Sequence, residues 1–307
     1  MTGVVVLTGG VGGAKLVDGL YRTLPAGTLS AIVNTGDDFV HLGLTVSPDI
    51  DSLLYLLSGQ ANRTLGWGRE GESWNFMDAL RGLGGPGWFN LGDGDLALHV
   101  MRSEALRSGQ TLTAITAQFA AAWSLDLAVL PMSDATVATW LDTDQGALSF
   151  QDYFVACQCR PIVHAIHYVG ANLAEASTDV VGALADARAI VIAPSNPWLS
   201  IDPILAVPAI RKALHDRTVP VVAISPLVQG KAVKGPTAKL MAELGIAATN
   251  ASIAAHYAGL IDGMVIHDGD DRPTGLAVAV IDTLMHDEGD RSRVAKAALD
   301  LATRLGS

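Results

Sequence analysis

Three clusters in the first fifty-one residues carry side chains suited to phosphate and metal: Gly9-Gly10-Val11-Gly12-Gly13-Ala14-Lys15, Asn34-Thr35-Gly36-Asp37-Asp38, and Ser47-Pro48-Asp49-Ile50-Asp51. Glycines let backbone N–H groups approach an anion where a Cβ would obstruct it, and a helix that follows aims its positive end at the same point. Carboxylates alone would repel phosphate. Beside such a loop they imply a divalent cation, and their hard oxygens suit Mg²⁺. Two carboxylates about 4 Å apart repel by about 4 kcal/mol at an effective dielectric of 20, a cost that coordination removes. Asp37, Asp38, Asp49 and Asp51 are therefore the candidate metal ligands. Each cluster also has a plainer explanation: a tight strand-to-helix turn, a solvated Gly-Asp turn, and a helix start with Ser47 as N-cap, Pro48 at the first position and acids in the first turn.

The glycine cluster fits neither standard nucleotide formula. Lys15 is followed by Leu16, where a Walker loop needs Ser or Thr, and it stands where the dinucleotide form needs a third glycine. Its charge near a helix start, where the dipole disfavours cations, favours an anionic ligand for Gly9, Gly10, Gly12, Gly13 and Lys15. Further clusters follow: Leu91-Gly92-Asp93-Gly94-Asp95, Pro131-Met132-Ser133-Asp134, Ala193-Pro194-Ser195-Asn196-Pro197, and Ser225-Pro226 with Lys231 to Pro236. Small hydroxyl and amide side chains beside prolines make rigid walls for a base or ribose, and Asn196 offers the donor and acceptor that a purine edge requires. His99 follows Asp95 by about one helical turn, which separates it from the other histidines. Lys231 and Lys234 could face phosphate, although surface lysines are the commoner outcome.

The elements that must position these groups alternate. Val4 to Thr8 reads as a buried strand, and Ala14 to Leu24 as a helix with Leu16, Val17, Leu20 and Leu24 on one face. Leu29 to Asn34 is the next strand, followed by a short helix from Asp51 to Ser58. Ala61 to Asn90 lacks periodicity and reads as a functional loop. Helices at Asp95 to Ser108 and Thr113 to Trp123 lead to a strand at Leu127 to Pro131. Between Thr136 and Tyr168 the pattern turns to β, with Val137 to Leu141, a turn at Asp144-Gln145-Gly146, then Phe150 to Cys159 and Ile162 to Tyr168. In that strand Cys157 and Cys159 would share a face, and without histidine spacing they make a poor zinc site. Alternation resumes with strand Ala189 to Ala193, helix Pro203 to His215, strand Val219 to Ile224, helix Pro236 to Leu244, strand Met264 to His267 and a final helix from Arg291 to Leu305. The expected fold is α/β: a Rossmann-like, mostly parallel sheet with helices on both faces, one domain over 1–307, and a helical and antiparallel β insertion at 61–175.

Composition narrows the function. With 20 basic and 31 acidic residues among 307, the formal charge of −11 opposes attraction to nucleic acid or anionic membrane. No segment approaches the roughly 20 apolar residues that a bilayer span needs, and the start of the chain lacks the features of a secretory signal. The cytoplasm is the expected location.

Together the ordered motifs resemble the 2-phospho-L-lactate transferase family of coenzyme F-420 biosynthesis. The set comprises the clusters above and Gly66-Trp67-Gly68, all in family order across nearly the whole chain. The resemblance implies a homodimer acting on a deazaflavin acceptor, 7,8-didemethyl-8-hydroxy-5-deazariboflavin, and a guanosine diphosphate-ester donor carrying a small phosphorylated acid. GMP would be released. It places the donor phosphates at the glycine loop, the guanosine near Ser195, Asn196 and Pro197, further ligand contacts at Asp93 and Ser225, and the metal and acceptor at Asp37 and Asp51, the catalytic pair, with Asp38 and Asp49 as supporting carboxylates. One departure stands out: Gly94 occupies a position where many relatives carry Arg or Lys, leaving Lys15 or Lys231 to compensate. Two other readings compete, a non-catalytic nucleotide-sugar-binding regulator of the same fold and a nicotinamide-dependent dehydrogenase. The broken glycine formula and the surplus of acids disfavour the second.

Overall fold

Short runs of Val, Ile and Ala, each ended by a polar residue or a turn former, become seven parallel strands. A computed structural model describes residues 3–62, 68–232 and 235–306. The strands are β1 Gly3–Thr8, β2 Leu29–Val33, β3 Ala128–Pro131, β4 Ala187–Ile192, β5 Val221–Ile224, β6 Gly263–His267 and β7 Ala277–Ile281. Their order across the sheet is β7-β6-β5-β4-β1-β2-β3, and every pairing is parallel. The chain therefore builds outward from β1 in one direction, returns to β4 on its other side, and builds outward again. That reversal makes the carboxyl ends of β1 and β4 the switch point where open α/β sheets bind ligands.

Successive side chains of β1 serve opposite faces. Val4 and Val6 join one buried cluster, while Val5 and Leu7 join the other. The first face is covered by α1 Gly10–Thr23, α2 Pro48–Leu57, α5 Leu112–Ala122 and α11 Glu288–Leu305. The second is covered by α6 Thr178–Ala185, α7 Asp202–Leu205, α8 Pro208–Asp216 and α10 Asn250–His256, with α9 Thr237–Glu243 adding Met241. Burial on both faces is why these strands read as continuous apolar runs. Between β2 and β3 lie α2, α3 Asn75–Gly82, α4 Asp95–Arg107 and α5. No helix of the described residues is long and apolar enough to cross a membrane.

The expected antiparallel insertion is present as a three-stranded sheet of Ala138–Thr143, Gly146–Ser149 and Val163–Val169. The strand expected over Phe150 to Cys159 is not. Pairing ends at Ser149 opposite Trp140, Ser149 Oγ accepts the Asp152 N–H, and a π-helical turn, Asp152–Ala156, follows. Gln158 and Cys159 then take left-handed backbone angles, so the two cysteines share no strand face. The helix expected from Pro203 to His215 is broken. A π-helical turn at Pro197–Ile201 precedes α7, and Pro208 starts α8, because the residue before a proline is driven out of helical geometry. Helices α3, α6 and α10 and strand β7 were not anticipated.

Candidate functional site

At the carboxyl end of β1 the glycines form the start of a helix rather than a free loop. Gly9 is the N-cap and extended, and α1 begins at Gly10, so Gly12 and Gly13 already lie in its first turn. Gly10 has φ of +67°, which favours glycine, and Gly9 has no room for a side chain because a Cβ would meet Asp49 Oδ2 at 2.6 Å. Across the switch point Ser195 clamps this turn. Its Oγ donates to the Gly9 carbonyl at 2.7 Å and accepts the Gly9 N–H at 3.3 Å. Asn196 caps the next turn through Oδ1, which accepts from the N–H groups of Trp198 and Leu199, and Pro197 is that turn's first residue. The Asn196 Nδ2 amide is buried and has no partner among the described residues. A donor left unpaired beside a helix N-terminus is a ready contact for an anion or a carbonyl.

The second and third clusters meet beneath this turn. Asp49 Oδ1 accepts the Gly10 N–H at 2.7 Å, and Asn34 Nδ2 donates both to Asp49 Oδ2, at 3.0 Å, and to Asp37 Oδ1, at 3.2 Å. Ser47 forgoes its capping role: its Oγ donates to Asp38 Oδ2 at 2.7 Å. Gln151, from the inserted region, donates through Nε2 to the Asp37 carbonyl at 2.9 Å. Burial pushes Asp49 up to about 6, against the hydrogen bonds from Asn34 and Gly10 that favour its charge. Asp37 is raised well above the carboxylate range by burial first, then by the charges of Asp49 and Asp38. Burial also raises Asp38, outweighing the Ser47 hydrogen bond and the Arg102 charge, and its Oδ1 is buried without a partner.

Asp51 belongs to a different network. Both Nη atoms of Arg102 donate to its two oxygens, and Arg102 Nη1 also donates to the Thr45 carbonyl at 3.3 Å. His99 Nδ1 stands 3.7 Å from Asp51 Oδ2, its Nε2 lies 3.1 Å from Asp95 Oδ2, and Tyr55 donates its hydroxyl to Asp95 Oδ1 at 2.5 Å. Burial works against the Asp95 charge, but the hydrogen bonds and charge of His99, with Tyr55 and Arg102, hold its pKa below the usual value. Asp51, Asp95 and His99 form the one group of three metal-ligating side chains converging within 4.8 Å among the described residues. A ring with a carboxylate at each nitrogen explains that convergence without an ion. The four carboxylates expected in one metal cage are thus divided in their partners: Arg102 pairs with Asp51 on the α4 side, while Asp51 stays near enough for its charge to raise Asp37 and Asp38. Asp37, Asp38 and Asp49 carry hard oxygens of the kind Mg²⁺ takes, and Asp38 Oδ1 is buried without a partner among the described residues. Both Asp49 oxygens already accept hydrogen bonds and the three carboxylates do not converge within 4.8 Å, so a cation there would rely on substrate phosphate and water for much of its shell.

Other expected ligand contacts are engaged elsewhere. Asp93 receives the Ser73 hydroxyl, the Asn75 side chain and the N–H groups of Asn75 and Phe76, fixing the start of α3; these bonds, led by Ser73, lower its pKa to about 2. Lys15 Nζ donates to the Met285 carbonyl at 2.6 Å. Ser225 Oγ donates to Asn250 Oδ1 and accepts the Leu227 N–H, joining β5 to α10. Lys231 is exposed in the two-residue strand Lys231–Ala232. Lys234, Gly66 and Trp67 lie outside the described residues. Sequence reasoning missed Arg102, Tyr55, Gln151 and the bridging role of Asn34. Only Arg102 had a readable signal: Asp95, His99 and Arg102 fall at i, i+4 and i+7, one polar stripe along α4.

The model of the family described as 2-phospho-L-lactate transferase CofD matches residues 4–300. A phosphoenolpyruvate transferase of Streptomyces griseus is 39% identical over 97% of this chain and 98% of its own length. Those of Mycolicibacterium smegmatis and Mycobacterium tuberculosis H37Rv are 36% identical with the same coverage. Two crystal structures of a Bacillus halodurans protein, one described as a member of the UPF0052 family, share the fold at 17% identity. Their TM-scores are 0.64 and 0.65, over 97% of this chain and 98% and 99% of theirs. Every side chain of the switch-point site lies inside the matched span, and this chain belongs to the 2-phospho-L-lactate transferase CofD family.

Proposed function

We propose that this protein transfers a phosphoenolpyruvyl group from its guanosine diphosphate ester to the terminal ribityl hydroxyl of 7,8-didemethyl-8-hydroxy-5-deazariboflavin, in coenzyme F-420 biosynthesis. The names of the relatives at 36–39% identity favour that acid over phospholactate or phosphoglycerate. The observation that carries the reading is the convergence at the β1/β4 switch point of a helix N-terminus, an unpaired Asn196 amide and three desolvated carboxylates. The first two suit the diphosphate and guanosine. The third suits Mg²⁺, which would neutralise the diphosphate charge when held by Asp37, Asp38 and Asp49.

In this scheme the ribityl oxygen attacks the phosphorus bearing the acid, the bridge to the guanosine-bearing phosphorus breaks, and GMP leaves with the bridging oxygen. Asp37, which a bound cation would hold in its ionised form against the effect of burial, accepts the hydroxyl proton. Asp51 is unsuited to that task because Arg102 holds both its oxygens; it positions α4 instead. Orientation and charge neutralisation supply most of the rate. The reading also carries a homodimer.

Purified protein incubated with the deazaflavin, Mg²⁺ and each candidate guanosyl ester, followed by mass spectrometry, tests the scheme. A phosphodiester-linked deazaflavin with stoichiometric GMP, fastest from the phosphoenolpyruvyl ester, is expected. Deazaflavin that binds yet yields no product from any ester would make the protein a binding module.

A further inference from the structure

Gly94 has helical backbone angles, φ −76° and ψ −35°, so no turn demands glycine there. Space does. A Cβ would lie 2.3 Å from Arg69 Nη1 and 3.0 Å from Glu72 Oε1. Arg69 therefore occupies the room that a side chain at position 94 would fill, and it, rather than Lys15 or Lys231, supplies the cation beside Gly94. Glu72 Oε2 accepts the Gly94 N–H at 2.6 Å. Among the described residues its Oε1 is buried without a hydrogen-bond partner, with Arg69 Nη1 at 3.5 Å and the carboxylate side chain only 7% exposed.

Arg69, Glu72, Trp74, Asn90 and Asp95 line a cavity of about 180 Å³. A buried acceptor held only by a loose ion pair can still take a donor from a ligand, and the guanidinium beside it can offer its remaining N–H groups to an acceptor. An anion fits poorly, since Glu72 and Asp95 set two carboxylates against one guanidinium in the wall. A neutral ring edge with an N–H next to a carbonyl satisfies both groups, and Trp74 offers an aromatic surface for the ring. Asp95 also contacts His99, which reaches Asp51, so the cavity adjoins the aspartate network.

We propose that this cavity reads the imide edge of the acceptor's pyrimidinedione ring, with Glu72 Oε1 accepting the N3–H and Arg69 donating to the neighbouring carbonyl. The proposal rests on the deazaflavin reading above and adds the residues that select the ring.

Fluorescence titration of the wild-type protein with the deazaflavin and with its N3-methyl derivative tests it. The parent is expected to bind at least about tenfold more tightly, because methylation strands the Glu72 oxygen. Glu72→Gln keeps one oxygen for the Gly94 N–H and turns an NH₂ toward the cavity. That variant should lose the discrimination by weakening the parent alone. Gly94→Ala displaces the flexible end of Arg69 while suiting the helix start; it should weaken the deazaflavin several-fold and leave GDP affinity unchanged. Equal binding of parent and methyl derivative to the wild type overturns the imide subsite alone. Binding of neither overturns the deazaflavin reading itself. If Glu72→Gln fails to fold, the wild-type comparison and Gly94→Ala decide the matter.

Discussion

Asp37 and Asp51 look equivalent in the sequence, and the structure predicts opposite stability effects when each is replaced by asparagine. Arg102 has a side chain 1% exposed and is neutralised chiefly by Asp51. Removing one partner of a buried ion pair costs about 3–5 kcal/mol, because the remaining charge is left desolvated. At about 2.1 cal/mol/K per residue, each kcal/mol moves the Tm of a 307-residue chain by about 1.5 °C, so Asp51→Asn should melt roughly 5–8 °C lower. Asp37 is the reverse case: burial and the charge of Asp49 already disfavour its ionised form. Asparagine retains the oxygen that accepts from Asn34 and removes the repulsion, so Asp37→Asn should leave the metal-free protein unchanged or stabilised by about 1 kcal/mol. Both variants lose turnover. Only Asp37→Asn should also lose the rise in Tm on adding Mg²⁺ and donor. The double variant Asp51→Leu/Arg102→Met should recover much of the lost stability and none of the activity. Melts in chelator, repeated with Mg²⁺ and set beside turnover, read all of this. An Asp51→Asn protein melting within a degree or so of wild type would refute the division of the carboxylates.

Two further outcomes follow from the same geometry. Asp49, raised to about 6 against about 3.8 unfolded, means the folded protein holds the extra proton; its stabilisation is present below pH 3.8 and is lost as pH rises through about 6. The loss amounts to about 3 kcal/mol at about 1.4 kcal/mol per pKa unit, and raised Asp37 and Asp38 extend it to higher pH. Urea denaturation in chelator from pH 4 to 7 should show falling stability, with Mg²⁺ reversing the fall at the upper end; stability that climbs over this range without metal contradicts the assignment. Asn196→Asp should preserve the cap on Trp198 and Leu199, since aspartate caps as well as asparagine, yet exchange the unpaired donor for negative charge. Tm should hold while the KM for the guanosyl ester rises tenfold or more, and an unchanged KM would remove Asn196 from the donor site.

Much of the sheet was legible because a strand buried on both faces leaves a short apolar run with a turn former at each end. Strands β1, β2, β4 and β5 read this way, and so did the positions of the ligand-bearing loops. β7 was missed because it is only half-buried along its length and its Ala-Val alternation suits helix as well as strand. Local composition also misled over Phe150 to Cys159, where the pattern was strand-like but no partner remained beyond Ser149. Chemistry was harder to read than fold for a related reason. Clustered aspartates announce that charge must be compensated, while the compensating group can come from any element that packs nearby. Arg102 lies 51 residues beyond Asp51, and Gln151 lies 114 beyond Asp37.

The sequence presents the glycine turn as an anion site and the aspartates as a cation site, each complete in itself. The structure joins them at one amide, since the Gly10 N–H that would greet a phosphate already donates to Asp49. With its pKa near 6, Asp49 gains from that N–H and loses from its desolvation. A donor diphosphate arriving without a counterion would therefore meet negative charge at the positive end of α1. A diphosphate arriving with a divalent cation meets oxygens that the cation can hold and an amide that Asp49 can surrender. Proton, metal and phosphate compete for one carboxylate, which makes the metal dependence of donor binding a property of the Gly10–Asp49 contact as much as of the aspartates themselves.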